Sequence, residues 1–286
     1  MQTIRALFII CVLVVVTAPL MLLQLVFVLT GSRAAKSLPV WWHRFVCRLV
    51  GVRVGVEGAL ADERPLLIAA NHVSWLDINV LSSVVPVSFI AKREVAGWPV
   101  FGWLAKLQRS VFVDRERRSA TARVNSEIAG RLAAGDVMVL FAEGTSSDGN
   151  DVLPFRSALL GVAQDLVRGS DGPIYVQPVA LAYTRLNGLP MGRQHRPIVA
   201  WHGDIDLGPH LWRLLRTGSI DVTVSFGDPI PLADAGGRKR VALDAERSVR
   251  GMAIPTLTGR GDAWAHAWPA AAGHARTALS ARPETG

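Results

Sequence analysis

The chain has 286 residues, of which 50% are hydrophobic and 19% charged, with a net charge of +8. It can bury a sizeable core, as one ordinary domain with additions or two small ones. Its positive balance suits an anionic partner: a phosphorylated substrate, an anionic bilayer or nucleic acid. Cys11 and Cys47 have neither paired nor zinc-ligand spacing, which favours a reducing compartment without a metal site.

Leu7–Leu29 is an uncharged run whose least apolar members are Thr17, Pro19 and Gln24. As a helix it spans roughly 34 Å, enough to cross a bilayer. It is too long for a signal-peptide core, and no A-x-A site follows. Arg5 precedes it, whereas Arg33, Lys36, Arg44 and Arg48 follow, so the rest of the chain is expected on the cytoplasmic side. Pro19 leaves a bent hairpin in one leaflet as an alternative to a span. Pro39–Val50 places Trp41, Trp42, Phe45, Val46 and Leu49 at helical spacing, with Arg44 and Arg48 four apart. This suits a helix at the membrane interface or one packed on the core.

Strand-like and helix-like stretches then alternate. Strands are expected at Leu66–Ala70, Val87–Ala91, Val111–Val113, Val137–Phe141 and Ile174–Leu181, with Ile220–Phe226 as an edge strand. Helices are expected after Ser74, around Trp98–Leu107, over 117–134, near Ser157–Val167 and over 239–252, with a loop at Leu186–Arg196. The pattern predicts an α/β fold: a largely parallel central sheet flanked by helices, behind an N-terminal membrane-associated helical segment. The expected organisation is an anchor and interfacial helix over 1–56, the α/β domain over 57–262, and an Ala-rich, poorly ordered tail over 263–286.

Sites in parallel-sheet proteins gather at the carboxyl ends of strands. Four polar groups stand there: His72, Lys92, Arg115, and Glu143-Gly144-Thr145. His72 and Asp77 would face apart on one helix; they meet if His72 precedes the helix and Asp77 lies in its first turn. The carboxylate would then orient the imidazole as a base for a hydroxyl. Ser74 and Asp77 also fit a helix capping box, Arg115 a surface charge, Lys92 a partner of Glu94, and Glu143 a turn cap. The helix start after Asn71 offers N–H groups for an oxyanion.

In this order and spacing, Asn71-His72-x4-Asp77, the block from Lys92 through Pro99 to Asp114-Arg115, Phe141-Ala142-Glu143-Gly144-Thr145 and Val176-Gln177-Pro178-Val179 resemble the four motifs of the PlsC-type lysophosphatidate acyltransferase family. The resemblance covers residues 65–182. It implies acyl transfer from an acyl carrier protein or CoA thioester to the hydroxyl of a lysolipid, with no cofactor and no covalent enzyme intermediate. It implies that His72 is the base, that Asp77 orients it, and that Lys92, Arg115, Glu143, Gly144 and Thr145 line the acceptor site. The implied location is the bacterial inner membrane, with the catalytic domain facing the cytoplasm.

Two departures bear on the acceptor. Ala142 stands where the family usually has proline, and Ser146 where it usually has a phosphate-binding arginine. The stretch Phe141–Leu159 looks more like the bacterial branch that acylates lyso-ornithine lipid, although Arg156 can replace the missing cation. Among other classes, Gly144-Thr145-Ser146-Ser147-Asp148 fails the serine-hydrolase elbow at its last position, and no phosphate loop ending in Gly-Lys-Ser/Thr is present. A non-catalytic basic protein binding lipid or nucleic acid is the remaining alternative; the apolar segment and the lack of a binding motif speak against nucleic acid.

Overall fold

The computed structural model describes residues 1–114, 118–161, 174–232 and 237–260. The Leu66–Ala70 strand, β2, shows why the sheet sits where it does. Its run Leu-Leu-Ile-Ala-Ala is buried at every position. Leu66, Ile68 and Ala70 enter one core; Leu67 and Ala69 enter the core on the other face. A continuous apolar run with period-2 side chains is what a doubly covered strand requires.

The strands are β1 (Val52–Glu57), β2, β3 (Val87–Lys92), β4 (Val111–Val113), β5 (Val137–Phe141), β6 (Tyr175–Leu186), β7 (Leu189–Pro190), β8 (Ile220–Phe226) and β9 (Ile230–Pro231). They form one sheet in the order β1-β8-β6-β2-β5-β3-β4, with β7 and β9 paired to β6. Every neighbouring pair along that path is parallel except β8 with β6. The largely parallel α/β sheet expected from the sequence is therefore present.

Helices α1 (Gln2–Leu29), α2 (Ala34–Val50), α3 (Leu76–Val84), α4 (Phe101–Leu107), α5 (Arg118–Ala133), α6 (Leu207–Thr217) and α7 (Arg238–Thr258) surround it. Residues of α1, α2, α3 and α6 share one core, while those of α5 and α7 share the other.

Four expectations need correction. Ile220–Phe226 is not an edge strand: β1 pairs parallel along its whole length. β1 lay hidden because Gly55 weakens the alternation of Val52-Arg53-Val54-Gly55-Val56-Glu57 and because Val56 is exposed. The boundary expected between residues 56 and 57 falls inside β1, so the sheet begins earlier. The sequence reading offered nothing for α6, which buries only His210, Leu214 and Leu215. β6 runs through Pro178 to Leu186, and the loop expected after it opens with a short hairpin. The tail over 263–286 and most of the helix expected near Ser157–Val167 lie outside the described residues.

α1 is long and apolar enough to cross a membrane, yet it is fastened at both ends. The Arg5 guanidinium donates to the Leu215 and Val50 carbonyls. Near the other end, Gln24 Nε2 donates to the Ala35 and Leu107 carbonyls, each at 2.9 Å. The first of these bonds repairs a defect. Pro39 lies inside α2 and has no N–H for the carbonyl four residues back, which is that of Ala35.

Candidate active site

β2 and β6 run parallel to the pair Ala70–Val179. Asn71 continues that ladder with its side chain: its Nδ2 donates to the Leu181 carbonyl at 3.0 Å, and Leu181 N–H donates to its Oδ1 at 2.8 Å. The side-chain amide stands in for a peptide group, so the backbone is free to turn off the sheet. His72 sits on that turn, ahead of α3, and Asp77 lies in the first turn of α3.

His72 Nδ1 lies 2.7 Å from Asp77 Oδ2. The same oxygen accepts the N–H groups of Val73 at 2.7 Å and Ser74 at 2.9 Å. Oδ1 accepts the Tyr183 hydroxyl, from β6, at 2.7 Å. Asp77 is fully buried, with four donors on two oxygens. A carboxylate facing Nδ1 fixes the proton there and leaves Nε2 as the basic nitrogen. Phe141, the last residue of β5, stacks on the imidazole with centroids 4.0 Å apart. The ring is thus held on its edge by a charge and on its face by an aromatic, while its side chain stays 18% exposed.

The capping box expected at Ser74 forms only by half, since the N-cap of α3 is Trp75 and no side chain caps the helix. Asp77 reaches back to the Ser74 N–H as a capping box requires, but Ser74 Oγ has no hydrogen-bond partner among the described residues. Ahead of the helix, the Val73 and Ser74 N–H groups are taken by Asp77 and that of His72 by Glu143 Oε2 at 3.1 Å, so these three are not offered to an oxyanion.

Glu143 is almost wholly buried beside them. Its Oε1 accepts the Leu153 N–H at 2.8 Å, so one side chain ties the turn after β2 to the loop after β5. Burial pushes its pKa up to about 8, against the opposing pull of those two N–H bonds. Gly144 follows at φ +73°, and a Cβ there would meet Arg156 Cδ at 3.1 Å. The exposed Arg156 therefore lies over the Glu143-Gly144-Thr145 turn, and Thr145 is exposed next to it. Lys92 is exposed at the end of β3. Arg115, two residues past β4, lies outside the described residues.

Ser146 has a structural task. Its hydroxyl donates to the Trp201 carbonyl, and Trp201 N–H donates to the Val73 carbonyl at 2.9 Å. A segment more than fifty residues downstream is thereby laid against the turn that bears His72. The Trp201 indole meets Trp98 edge-on at 5.9 Å. Sequence reasoning missed Tyr183, Phe141 and Trp201 as neighbours of His72. The one available signal was a tyrosine in a chain with only two, set in the apolar run of β6. Among the described residues no cluster of His, Cys, Asp and Glu is placed to hold a metal ion. The arrangement is equipped to take a proton from a hydroxyl near Nε2 and to hold the resulting imidazolium against a buried carboxylate.

The fold and this site belong to an acyltransferase. A family model described as Acyltransferase matches residues 51–182, which contain all of these groups except Trp201 and Tyr183. Two bacterial proteins named lyso-ornithine lipid O-acyltransferase are similar over most of their length. That of Brucella abortus is 49% identical, covering 90% of this chain and 97% of its own. That of Rhizobium meliloti is 46% identical, covering 91% and 89%. The crystal structure of the 1-acyl-sn-glycerophosphate acyltransferase PlsC from Thermotoga maritima has the same fold, with a TM-score of 0.63 and 22% identity over 91% of this chain and 96% of that one. The chain belongs to the PlsC-type glycerolipid acyltransferase family.

Glu143 makes stability depend on pH. Its ordinary value of 4.5 applies to the unfolded chain, and about 8 applies in the fold. Between those values the unfolded state binds fewer protons, so stability falls as pH rises. The Glu143 contribution is complete below about 4.5 and lost by about 8. Urea unfolding of wild type and Glu143→Gln across this range should give a stability difference that moves steadily against wild type with rising pH. A constant difference would mean that the two N–H bonds keep Glu143 ionised throughout.

Proposed function

We propose that this chain is a lyso-ornithine lipid O-acyltransferase that uses an acyl carrier protein or CoA thioester as donor. The observation that carries the reading is the 2.7 Å contact between His72 Nδ1 and the buried Asp77 carboxylate. As the acceptor hydroxyl approaches, His72 Nε2 takes its proton while the oxygen attacks the thioester carbonyl. An ester C–O bond forms and the C–S bond breaks. The leaving thiolate receives the proton from the imidazolium, which restores the neutral base. Phe141 and Asp77 position the ring. Lys92, Thr145 and Arg156, with Arg115 and the turn at Glu143-Gly144, form the acceptor-binding surface. No cofactor takes part.

His72→Ala tests the base. The variant should unfold at a similar denaturant concentration and lose about 10²–10⁴-fold in turnover, the usual value of general-base catalysis. A folded variant keeping more than about a tenth of the rate would remove His72 from that role.

The acceptor reading rests on Ser146 and on the names carried by the similar Brucella and Rhizobium proteins. A phosphomonoester favours several charge-assisted partners. An ornithine head group carries one carboxylate and one ammonium and needs fewer cations. Wild type should acylate lyso-ornithine lipid at least as well as lysophosphatidate. Ser146→Arg should move the ratio of kcat/KM roughly tenfold or more toward lysophosphatidate, the worth of one charge-assisted bond. It should also lower the melting temperature, because the hydroxyl bond to Trp201 is lost. A wild type that prefers lysophosphatidate, with no gain from the arginine, returns the acceptor to the family default.

The membrane reading is monotopic. Residues 5 and 24 of α1 are both fastened to the domain, so the helix lies along it instead of leaving it. Its outer face carries exposed Leu7, Phe8, Val14, Val15, Leu22, Val26 and Leu29, which enter the cytoplasmic leaflet. Full-length protein should resist extraction by high salt and alkaline carbonate, and an N-terminal epitope should be shielded from protease added outside intact spheroplasts. Digestion of that epitope would show that α1 crosses the bilayer.

A further inference from the structure

A basic cleft of about 120 Å³ opens at the amino ends of β3 and β5. Lys36, Arg64, Ser88, Gln108, Arg109 and Asp136 line it. Lys36 Nζ lies 2.6 Å from Asp136 Oδ1, while Arg109 Nη2 and Arg131 Nε lie 2.6 Å and 2.9 Å from Oδ2. One carboxylate meets three cations, and the exposed Arg64 adds a fourth at the rim. The cleft thus keeps a surplus of positive charge. The acid forms the floor, at 7% exposure, and the cations flank the opening, with Lys36 at 48% and Arg109 at 30%. The first turn of α2 reaches the same space through Ala35.

A second, open cavity of about 50 Å³ adjoins the first and shares Pro39 and Gln108 with it. It lies between α1, α2 and α4, with apolar walls from Leu20, Met21, Leu38, Trp42 and Leu107. Gln24 also lines it, and its buried Oε1 has no hydrogen-bond partner among the described residues. The nearby end of α1 exposes Leu25, Val26 and Leu29.

We propose that the two cavities together bind an anionic phospholipid that is not the acceptor, its phosphate in the basic cleft and part of one chain in the apolar cavity. Arginine and lysine around a phosphate form strong charge-assisted bonds. A glycerol hydroxyl can donate to Gln24 Oε1. A zwitterionic lipid brings its own cation and gains less from the surplus charge. A free phosphate leaves the apolar walls unused. The site stands apart from the candidate catalytic centre, because His72 follows the carboxyl end of β2 whereas the cleft lies at the amino ends of β3 and β5. A five-residue strand separates such ends by roughly 17 Å. Lipid bound here touches α1, α2 and the segment after α4, so it fastens the apolar helices to the sheet.

The test uses full-length protein in neutral detergent. Thermal unfolding is followed with short-chain phosphatidylglycerol, short-chain phosphatidylcholine or inorganic phosphate. Phosphatidylglycerol should raise the Tm of wild type well above the other two. In Lys36→Gln/Arg64→Gln the concentration giving half the shift should rise at least about tenfold. Arg247→Glu, at an exposed position of α7, changes the net charge equally and should respond like wild type. Arg64→Gln alone, at an exposed position, serves if the double variant does not fold, and should weaken the response in the same direction. Equal shifts with phosphatidylcholine, a full shift with inorganic phosphate, no shift in wild type, or an equal loss in Arg247→Glu would each overturn the proposal.

Discussion

The Asp77 carboxylate is the contact on which the rest of the site depends. An unpaired charge in a fully buried position costs several kcal/mol, so the chain around it is obliged to supply donors. It supplies four, from three places: the His72 ring, the Val73 and Ser74 amides, and the Tyr183 hydroxyl. Satisfying this one group fixes the shape of the turn after β2, the start of α3, the tautomer of the imidazole and the packing of β6 against both. The geometry of His72 is therefore set by a folding requirement. It does not depend on the substrate arriving.

Some of this was legible in the chain and some was not, and the difference is one of range. His72 and Asp77 lie five residues apart, so local turn-and-helix geometry decides whether they meet, and the strand before them and the helix after them were both readable. Tyr183 reaches Asp77 across 106 positions. Only the parallel pairing of β2 with β6 brings them together, and no local pattern encodes that register. Trp201 is similar: it is held by the carbonyl of Val73 and the hydroxyl of Ser146, in a stretch without periodicity. Ser146 was readable as a missing arginine but not as a tie between loops. β1 escaped because its alternation is interrupted by Gly55 and its neighbour β8 is distant in sequence. Equally unreadable was that Asp77 and Glu143 claim the N–H groups of residues 72–74, which removes those three from an oxyanion's reach.

The parallel sheet sorts chemistry by end. His72, Lys92 and Glu143 follow the carboxyl ends of β2, β3 and β5, whereas Asp136 and its cations precede the amino end of β5. Glu143 and Asp136 show how surroundings divide two carboxyls of one strand. At Glu143, burial dominates and raises the pKa despite two backbone N–H bonds. At Asp136, burial also pushes upward, but Lys36 and Arg131 outweigh it and hold the carboxyl below its ordinary range. The first is sheltered beside the His72 turn; the second is the counter-ion of a basic cleft.

The apolar helix α1 raises a question of specification. Leucine-rich surfaces pack without much directional preference, and in lipid they gain little from leaving it. Its few polar residues therefore carry the orientation. Arg5 caps the carbonyls at the ends of α2 and α6, Thr17 accepts the Trp42 indole N–H at 3.0 Å, and Gln24 answers the carbonyl that Pro39 strands. These contacts lie along nearly the whole helix and leave it one way to sit. The helix is thereby bonded to the same core that carries one face of the sheet and α3, the helix that bears Asp77. It is the polar minority of an apolar segment that sets how that segment sits on the domain.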